Sequence, residues 1–439
     1  MKIVKFGGTS VATPESRKAC EKIVRSQEKV VVVVSALDGV TEILDEAARA
    51  AAAGNRRIVS RAIADLRARH EGPLLDELER VLAGLTAVGE LTPRSRDLVL
   101  SFGERLSAPM FAAEIGGVAL DGGSAGIVTD EQWGEASPLQ EMTHYELRRR
   151  ILPILEQGKI PVVTGFLGVT QHGAITTLGR GGSDFTATLV GAALGAEEIW
   201  LCSDIDSLRA ADPRIVPEAA PLPEISFAEA LEMVQFGAKG IHPRALEPAV
   251  ERAIPVRIVN TFRPDGPGTR IGPLVGAAGV VRSVHLVKDV SLLTVSGAAM
   301  VGRRGTAARI FQTIAEAGGN VRMISQGVSE SGISIALACK ELDTVRTALE
   351  GALVRTGIVK QIQVEESVGI VSIVGEGMRG TPGVAARLFR AVAAGGINVI
   401  AIAQGSSELS ISFIVEGARG PDAVRAVYAE FLASGRSAP

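Results

Sequence analysis

The chain has 439 residues, with 46 Lys and Arg against 49 Asp and Glu, and its formal charge of −3 gives no reason to expect nucleic acid or an anionic membrane as a partner. Hydrophobic residues make up 46% but aromatic residues only 4%, the Ala/Val/Ile/Leu packing expected where helices cover a parallel sheet, and the length is too great for one ordinary core. Cys20, Cys202 and Cys339 are widely spaced and odd in number, suggesting neither a disulfide framework nor a zinc site and fitting a reducing cytoplasm.

The chain opens on MKIVKFGGTSV, which reads as a short buried strand, the turn Gly7-Gly8-Thr9-Ser10, and a helix from about Pro14 to Ser26. Lys5 sits beside the glycines as a point charge, and Thr9, Ser10 and Thr13 can cap helical N–H groups, so this start can hold phosphate. It is not the P-loop, because GxxxxGK[ST] does not occur. Lys5 with the glycine pair also breaks any signal-peptide core, and no apolar run approaches the roughly 18 residues of a membrane helix, so neither export nor membrane insertion is expected. Lys2–Phe6, Val30–Ser35, Pro161–Phe166, Glu198–Cys202 and Val256–Val259 read as short apolar strands separated by helical stretches. That alternation predicts an open, mostly parallel sheet with helices on both faces. Ala47–Ala87, rich in Ala, Leu, Arg and Glu, reads as helices projecting from this core, suited to packing or subunit contact.

Between Thr176 and Ala187 the sequence TTLGRGGSDFTA places glycines, an arginine, a serine and an aspartate on a tight turn, with a helix expected from about Ser183. Glycine lets main-chain N–H groups approach an anion closely, and the helix start adds its positive end. Arg180 can grip a carboxylate or phosphate through two parallel hydrogen bonds, whereas Asp184 suits a cation or a substrate ammonium. The turn therefore suits a zwitterion beside a phosphate.

TFRPDGPGTRIGPLVGAAG, Thr261–Gly279, concentrates proline and glycine and is the expected domain boundary. Beyond it lies an internal repeat. Gly297, Met300, Gly302, Gly305, Arg309 and Asn320 recur 78 residues later as Gly375, Met378, Gly380, Gly383, Arg387 and Asn398, and Gln326-Gly327 recur as Gln404-Gly405. Each copy reads strand, glycine turn, amphipathic helix, strand, Gln-Gly turn, strand, helix. In one reading these glycines only turn the chain; in the other the turns bind a small ligand through backbone groups.

KFGGTSV, VVVVSALDGVT, SFGERLSA, TTLGRGGSD, ADPRIV and FGAKGIHPR, in this order, resemble the aspartate kinase family across nearly the whole chain. The resemblance implies an amino acid kinase fold over residues 1–270. It also implies tandem βαββαβ ACT domains over 280–439, with copies around 290–352 and 365–433 whose strands can interleave. The implied activity is phosphorylation of the side-chain carboxylate of L-aspartate to 4-phospho-L-aspartate, with ATP and Mg²⁺, in the cytoplasm, at the start of aspartate-derived amino acid biosynthesis. Because the chain ends at Pro439, a monofunctional member without a fused homoserine dehydrogenase is expected. A carboxylate is already ionised near neutral pH, so it needs no general base, and catalysis reduces to positioning two anions and screening their repulsion.

In this resemblance Lys5, Gly7 and Gly8 lie against the transferring phosphate, Arg180 takes the substrate carboxylate, and Glu104 takes its ammonium. Thr41, Ser183 and Asp184 complete the pocket, while Thr41 as a helix cap and Glu104 as an exposed helix residue are the plain alternatives. Nucleotide recognition falls on Ser203, Asp204, Arg209, Asp212-Pro213-Arg214 and Lys239, with His242 and Pro243 structural. Relatives commonly read TDVDGVYTADPR where this chain reads SDIDSLRAADPR, so Arg209 replaces a tyrosine near the nucleotide; its planar guanidinium can stack on adenine or shift nucleotide preference. The ACT pair implies an amino acid effector, lysine or threonine, contacted by Asn320, Gln326, Asn398 and Gln404 and held across the interface of a homodimer or higher oligomer. Lysine-specific members tend to have an acidic residue where this chain has Arg322, which favours threonine or another neutral ligand. The alternatives are a kinase for another amino acid or small carboxylic acid, and an amino-acid-sensing regulator whose kinase site has decayed.

Overall fold

The computed structural model describes residues 1–236, 241–273, 279–329 and 331–433, which form two compact units. The first comprises Met1–Leu208, Leu222–Phe227 and Lys239–Leu274 and is built on an eight-stranded sheet. In spatial order its strands are Val118–Leu120, Pro161–Thr164, Val30–Val34, Lys2–Phe6, Glu198–Ser203, Val256–Asn260, Thr269–Gly272 and Glu224–Ser226. Pairing is parallel except between Val256–Asn260 and Thr269–Gly272. All five residues of Val30–Val34 are valines and all are buried, as a parallel strand covered on both faces requires. The expected strands are therefore present, and the open, mostly parallel sheet is the observed one.

Lys2–Phe6 lies parallel between Val30–Val34 and Glu198–Ser203. Continuation of the ladder locks the loops at their carboxyl ends together: Gly7 N donates to Cys202 O at 3.1 Å, Ser35 N to Phe6 O at 3.1 Å, and Gly165 N to Val34 O at 2.8 Å. Ligands gather at this edge in open α/β sheets.

The helices expected to project from the core instead pack onto it. Val40–Ala52, Arg56–Arg67, Leu74–Val88 and Pro93–Ile115 bury Leu44, Leu66, Leu78 and Phe111 in the same apolar cluster as Phe6 of the sheet. Helix Pro14–Arg25 is closed by a capping box between Thr13 and Ser16, whereas Ser10 bonds Thr261 Oγ1 rather than capping a helix. No helix among the described residues is long and apolar enough to cross a membrane.

The second unit comprises Arg209–Pro221, Ala228–Ala238 and Val275–Pro439. Its six-stranded antiparallel sheet runs in the order Met323–Gln326, Gly332–Ala338, Ser283–Ser296, Gln361–Val374, Ser410–Glu416, Ala401–Gln404. The two central strands are each 14 residues long, and each serves both copies of the repeat, so the copies are interleaved. Their pairing shifts register around Val290, beside Asp289 at φ 57°, and the equivalent Ser367 has φ 55°. The repeat thus preserves a left-handed residue at the same place in both strands.

Arg209–Pro221 and Ala228–Ala238 precede the expected boundary, yet they are held within this second unit by specific bonds. Val284 N donates to Ala210 O at 2.8 Å, and Ala220 N to Tyr428 Oη at 3.0 Å. Glu229 Oε1 accepts from Glu376 N at 3.0 Å, and Glu232 Oε2 from Ser410 Oγ at 2.9 Å.

In the first unit the loop leading to Arg180 is fixed by Asp97, a fully buried residue of helix Pro93–Ile115. Its carboxylate accepts from Gly134 N, Thr177 N and Thr177 Oγ1, each at 2.9 Å. Burial raises its pKa, and the bonds it accepts pull the other way. Asp97→Ala leaves the buried Thr177 N–H and hydroxyl and the part-buried Gly134 N–H without an acceptor; we expect it to lower the unfolding free energy by about 2–4 kcal/mol, read from urea denaturation.

Candidate active site

A cleft of about 350 Å³ opens at the carboxyl edge of the first sheet, and its walls include Lys5, Gly8, Thr41, Glu104, Arg180, Ser183 and Asp184. The structure therefore brings together residues from four separate sequence segments singled out above. Gly7 lies one residue along the same turn, with its N–H committed to Cys202 O.

The glycines are explained by close approach. A Cβ at Gly8 would stand 3.0 Å from Ala36 O and 3.1 Å from Asp38 N, so the first turn can pass against the Ser35–Asp38 wall only without a side chain. Gly181 has φ 73°, and a Cβ there would collide with the side chain of His242, which precedes helix Pro243–Glu251. His242 is thus a packing residue behind the turn, in keeping with its structural reading. Gly181 in turn is the N-cap of helix Gly182–Leu194, whose first turn contains Ser183 and Asp184.

Lys5 Nζ and Asp184 Oδ1 form an ion pair of 2.6 Å, their side chains only 13% and 15% exposed. The pair ties the central strand to the helix following the glycine turn and aims the ammonium into the cleft. Arg180, by contrast, is exposed at the mouth and forms no ion pair among the described residues. It is available to an incoming anion.

Glu104 is buried, at 3% exposure, on helix Pro93–Ile115. Its Oε1 accepts from Ala36 N at 3.1 Å, while Oε2 is buried with no hydrogen-bond partner. Burial pushes its pKa up to about 8, against the lowering influence of the Ala36 N–H and the Lys5 charge. The exposed-helix alternative for Glu104 does not hold. A buried carboxyl with one oxygen unmatched is a receptor for a donor from outside the chain.

Two wall elements were not singled out from the sequence. Phe166 lines the cleft with φ 67°, its N–H donating to Thr186 Oγ1 at 3.1 Å and its side chain against Gly182. Asp38 and Gly39 form a turn, with Gly39 at φ 75° as the N-cap of helix Val40–Ala52; the dipeptide Asp-Gly was the available signal.

The residues read as nucleotide contacts are distributed differently. Ser203 ends strand Glu198–Ser203, and Asp204 O accepts from Asn260 Nδ2 at 3.2 Å, beside the Gly7 turn rather than in the cleft wall. Arg209 and Arg214 belong to the second unit, where Arg209 Nη1 donates to Ala219 O at 2.8 Å and Arg214 pairs with Asp212 at 2.6 Å. Lys239 lies outside the described residues. No cluster of three or more His, Cys, Asp or Glu suited to a metal occurs among the described residues. Of the effector candidates, Asn320, Gln326, Asn398 and Gln404 are all exposed, and Gln326 and Gln404 end the two edge strands of the second sheet. Those edges meet where Ser325 Oγ donates to Ile402 O at 3.0 Å.

Comparison with known proteins agrees with this arrangement. Residues 1–260 match the amino acid kinase family, and residues 293–353 and 371–431 each match the ACT domain. Aspartokinase 1, chloroplastic, of Arabidopsis thaliana is 32% identical over 461 aligned residues, covering 99% of this chain and 80% of the relative. Aspartokinase III of E. coli, solved with aspartate and ADP in its R-state, superposes with a TM-score of 0.81 at 28% identity, covering 98% of this chain and 99% of that one. The same enzyme with lysine and aspartate, in its T-state, gives 0.78 at 28% identity over the same shares. With its kinase match, paired ACT matches and a full-length relative at this identity, the chain belongs to the amino acid kinase family and, within it, to the aspartokinases.

Proposed function

We propose that the cleft phosphorylates the side-chain carboxylate of L-aspartate with MgATP, and that Glu104 and Arg180 select the substrate as a zwitterion. The observation supporting this most directly is the unmatched Oε2 of Glu104 in the same cleft as Arg180, which has no ion-pair partner among the described residues. An α-ammonium supplies donors to the first, and a carboxylate supplies acceptors to the second. Thr41 and Ser183 add hydroxyls to the walls.

The side-chain carboxylate attacks the γ-phosphorus, an O–P bond forms, and the bond to the bridging oxygen of ADP breaks. Both partners are anions, so the chain's contribution is positioning and charge. Lys5, held by Asp184, directs its ammonium at the transferring phosphoryl group, and the Gly7-Gly8 turn lets the backbone approach it. Magnesium would be held chiefly by the nucleotide phosphates and water and would share the phosphate charge with Lys5. Ser203 and Asp204 are the nucleotide contacts best placed at the sheet edge. Arg209 and Arg214 must exchange Ala219 O and Asp212 for the nucleotide to take the same role, and Lys239 is assigned with them. This is soluble, cytoplasmic chemistry.

In the second unit the exposed edge-strand residues Ile324 and Ile402 occupy equivalent positions of the repeat. We assign this face to a homodimer in which Asn320, Gln326, Asn398 and Gln404 contact an amino acid effector. Exposed Arg322 beside Asn320 disfavours a cationic ligand, so a neutral amino acid such as threonine is the assigned effector.

ADP release with ATP, Mg²⁺ and L-aspartate tests the assignment, and L-glutamate in place of aspartate is expected to be inactive; silence with aspartate despite ATP binding would overturn it. Lys5→Ala is expected to reduce kcat by about 10²–10³, and Arg180→Ala chiefly to raise KM for aspartate by roughly 10². An unchanged KM in the second variant would move the carboxylate site elsewhere.

Glu104 must be ionised to receive the ammonium, and its pKa stands at about 8 in the empty cleft. Aspartate binding should therefore weaken roughly tenfold per pH unit below 8, because binding must first expel a proton. Because the folded carboxyl holds its proton more tightly than the unfolded one, the ligand-free enzyme should also lose stability as pH rises from 4.5 to 8. Glu104→Gln should flatten both profiles, measured by KM and by thermal unfolding across pH.

Asn398→Ala is expected to leave the uninhibited rate intact and to raise the half-inhibiting threonine concentration about tenfold, the loss of one hydrogen bond. Undiminished inhibition would place the effector elsewhere.

A further inference from the structure

The helical layer of the first unit holds a second cavity, of about 530 Å³, formed where the turn between helices Arg56–Arg67 and Leu74–Val88 meets helix Pro93–Ile115. Its walls combine basic side chains, Arg69, His70 and Arg105, with apolar ones, Leu74 and Met110, and Glu71 is also at its edge. Three nitrogens in these walls are without partners among the described residues. His70 is 5% exposed, and neither ring nitrogen is hydrogen-bonded; Arg105 Nη1 is likewise buried and unbonded, although Nη2 donates to Glu77 Oε1 at 3.1 Å.

Such groups are costly when desolvated without a partner, and native proteins rarely leave several together. Arg69 adds a cation: its Nη1 donates to Asp38 O at 3.0 Å, and it has no carboxylate partner among the described residues. Burial and the nearby Arg69 and Arg17 charges lower the His70 pKa to about 4, so the imidazole is neutral and offers one N–H at neutral pH. The lining thus combines donors and positive charge with hydrocarbon.

We propose that this cavity binds a small aliphatic carboxylate, its oxygens accepting from Arg105 Nη1 and the His70 ring N–H and its hydrocarbon body against Leu74 and Met110. The ligand is an organic acid rather than inorganic phosphate, because the lining also includes Leu74, Leu106, Pro109 and Met110. The site is linked to the cleft through two short routes. Arg69 holds the carbonyl of Asp38, a cleft residue, and Arg105 directly follows Glu104 on the same helix. Occupancy therefore adjusts aspartate binding, a consequence resting on the active-site assignment above, whereas the binding itself does not.

The test is titration calorimetry of the full chain with isovalerate as the probe, in saturating L-aspartate, with 3-methylbutanol and inorganic phosphate as separate arms. Isovalerate should bind with a stoichiometry of one per chain, the alcohol should not bind, and Arg105→Met and His70→Phe should each weaken isovalerate at least tenfold. In unaltered protein with ¹⁵N-histidine, the His70 ring signals should shift on adding isovalerate, which decides the matter if either variant misfolds. A twofold or larger change in KM for aspartate is expected alongside, and binding without that change would sever the link to the cleft. Absence of isovalerate binding, binding of phosphate in its place, competition with aspartate, unaltered affinity in both folded variants or unmoved His70 signals would each overturn the proposal. A chain that bound isovalerate but failed to phosphorylate aspartate would refute the kinase assignment alone.

Discussion

Every group of the cleft depends on one placement: Lys2–Phe6 runs parallel between Val30–Val34 and Glu198–Ser203, with each of its five residues paired on both sides. Parallel neighbours deliver their carboxyl ends to the same edge, so the turns after three distant strands converge without long loops. The Lys5–Asp184 ion pair then fixes the fourth participant, helix Gly182–Leu194, against that edge. A lysine near the chain start is ordinarily solvated. Here the ladder leaves it no such choice, because its backbone is committed on two sides.

The cleft's electrostatics divide the work between satisfied and unsatisfied charge. Lys5 and Asp184 compensate each other, so the Lys5 ammonium is already largely desolvated and, in the proposed role, needs little reorganisation when a nucleotide arrives. Glu104 and Arg180 are left without such compensation, one by burial and one by exposure. The same division recurs around the second cavity, where Arg105 Nη1 and the His70 ring nitrogens have no partner among the described residues, while Arg67 is satisfied by Asp76 at 2.7 Å and Glu79 at 3.1 Å. Helix Pro93–Ile115 is the common support, holding Asp97, Glu104 and Arg105 in succession.

Strand periodicity and glycine-rich turns made the sheet, the two turns that line the cleft and the repeat legible in the sequence. Those signals are local: a valine run, a Gly-Gly pair, or a constant interval between equivalent residues. Asp97 was not legible, because its three donors come from Gly134 and Thr177, and nothing near Asp97 announces them. Phe166 was missed because a positive φ at an aromatic residue is imposed by its surroundings rather than by its own preference. Arg209 and Arg214 illustrate the converse limit. The resemblance assigned them to the nucleotide, yet sequence cannot distinguish an arginine awaiting a phosphate from one already paired with Asp212 two residues away, as Arg214 is. Glu104 depended on resemblance, since glutamate on a helix is usually solvated.

The two 14-residue strands of the second sheet have a consequence for how this half of the molecule can change over evolutionary time. Each strand is shared property: one half completes its own copy and the other half completes its neighbour's, with equivalent left-handed residues, Asp289 and Ser367, marking the handover. A duplicated module that had remained separable could lose, swap or respecialise one copy by recombination. Here any crossover between the copies would strand half of a central ladder, so the pair is inherited as a single indivisible fold and can diverge only by point substitution within it.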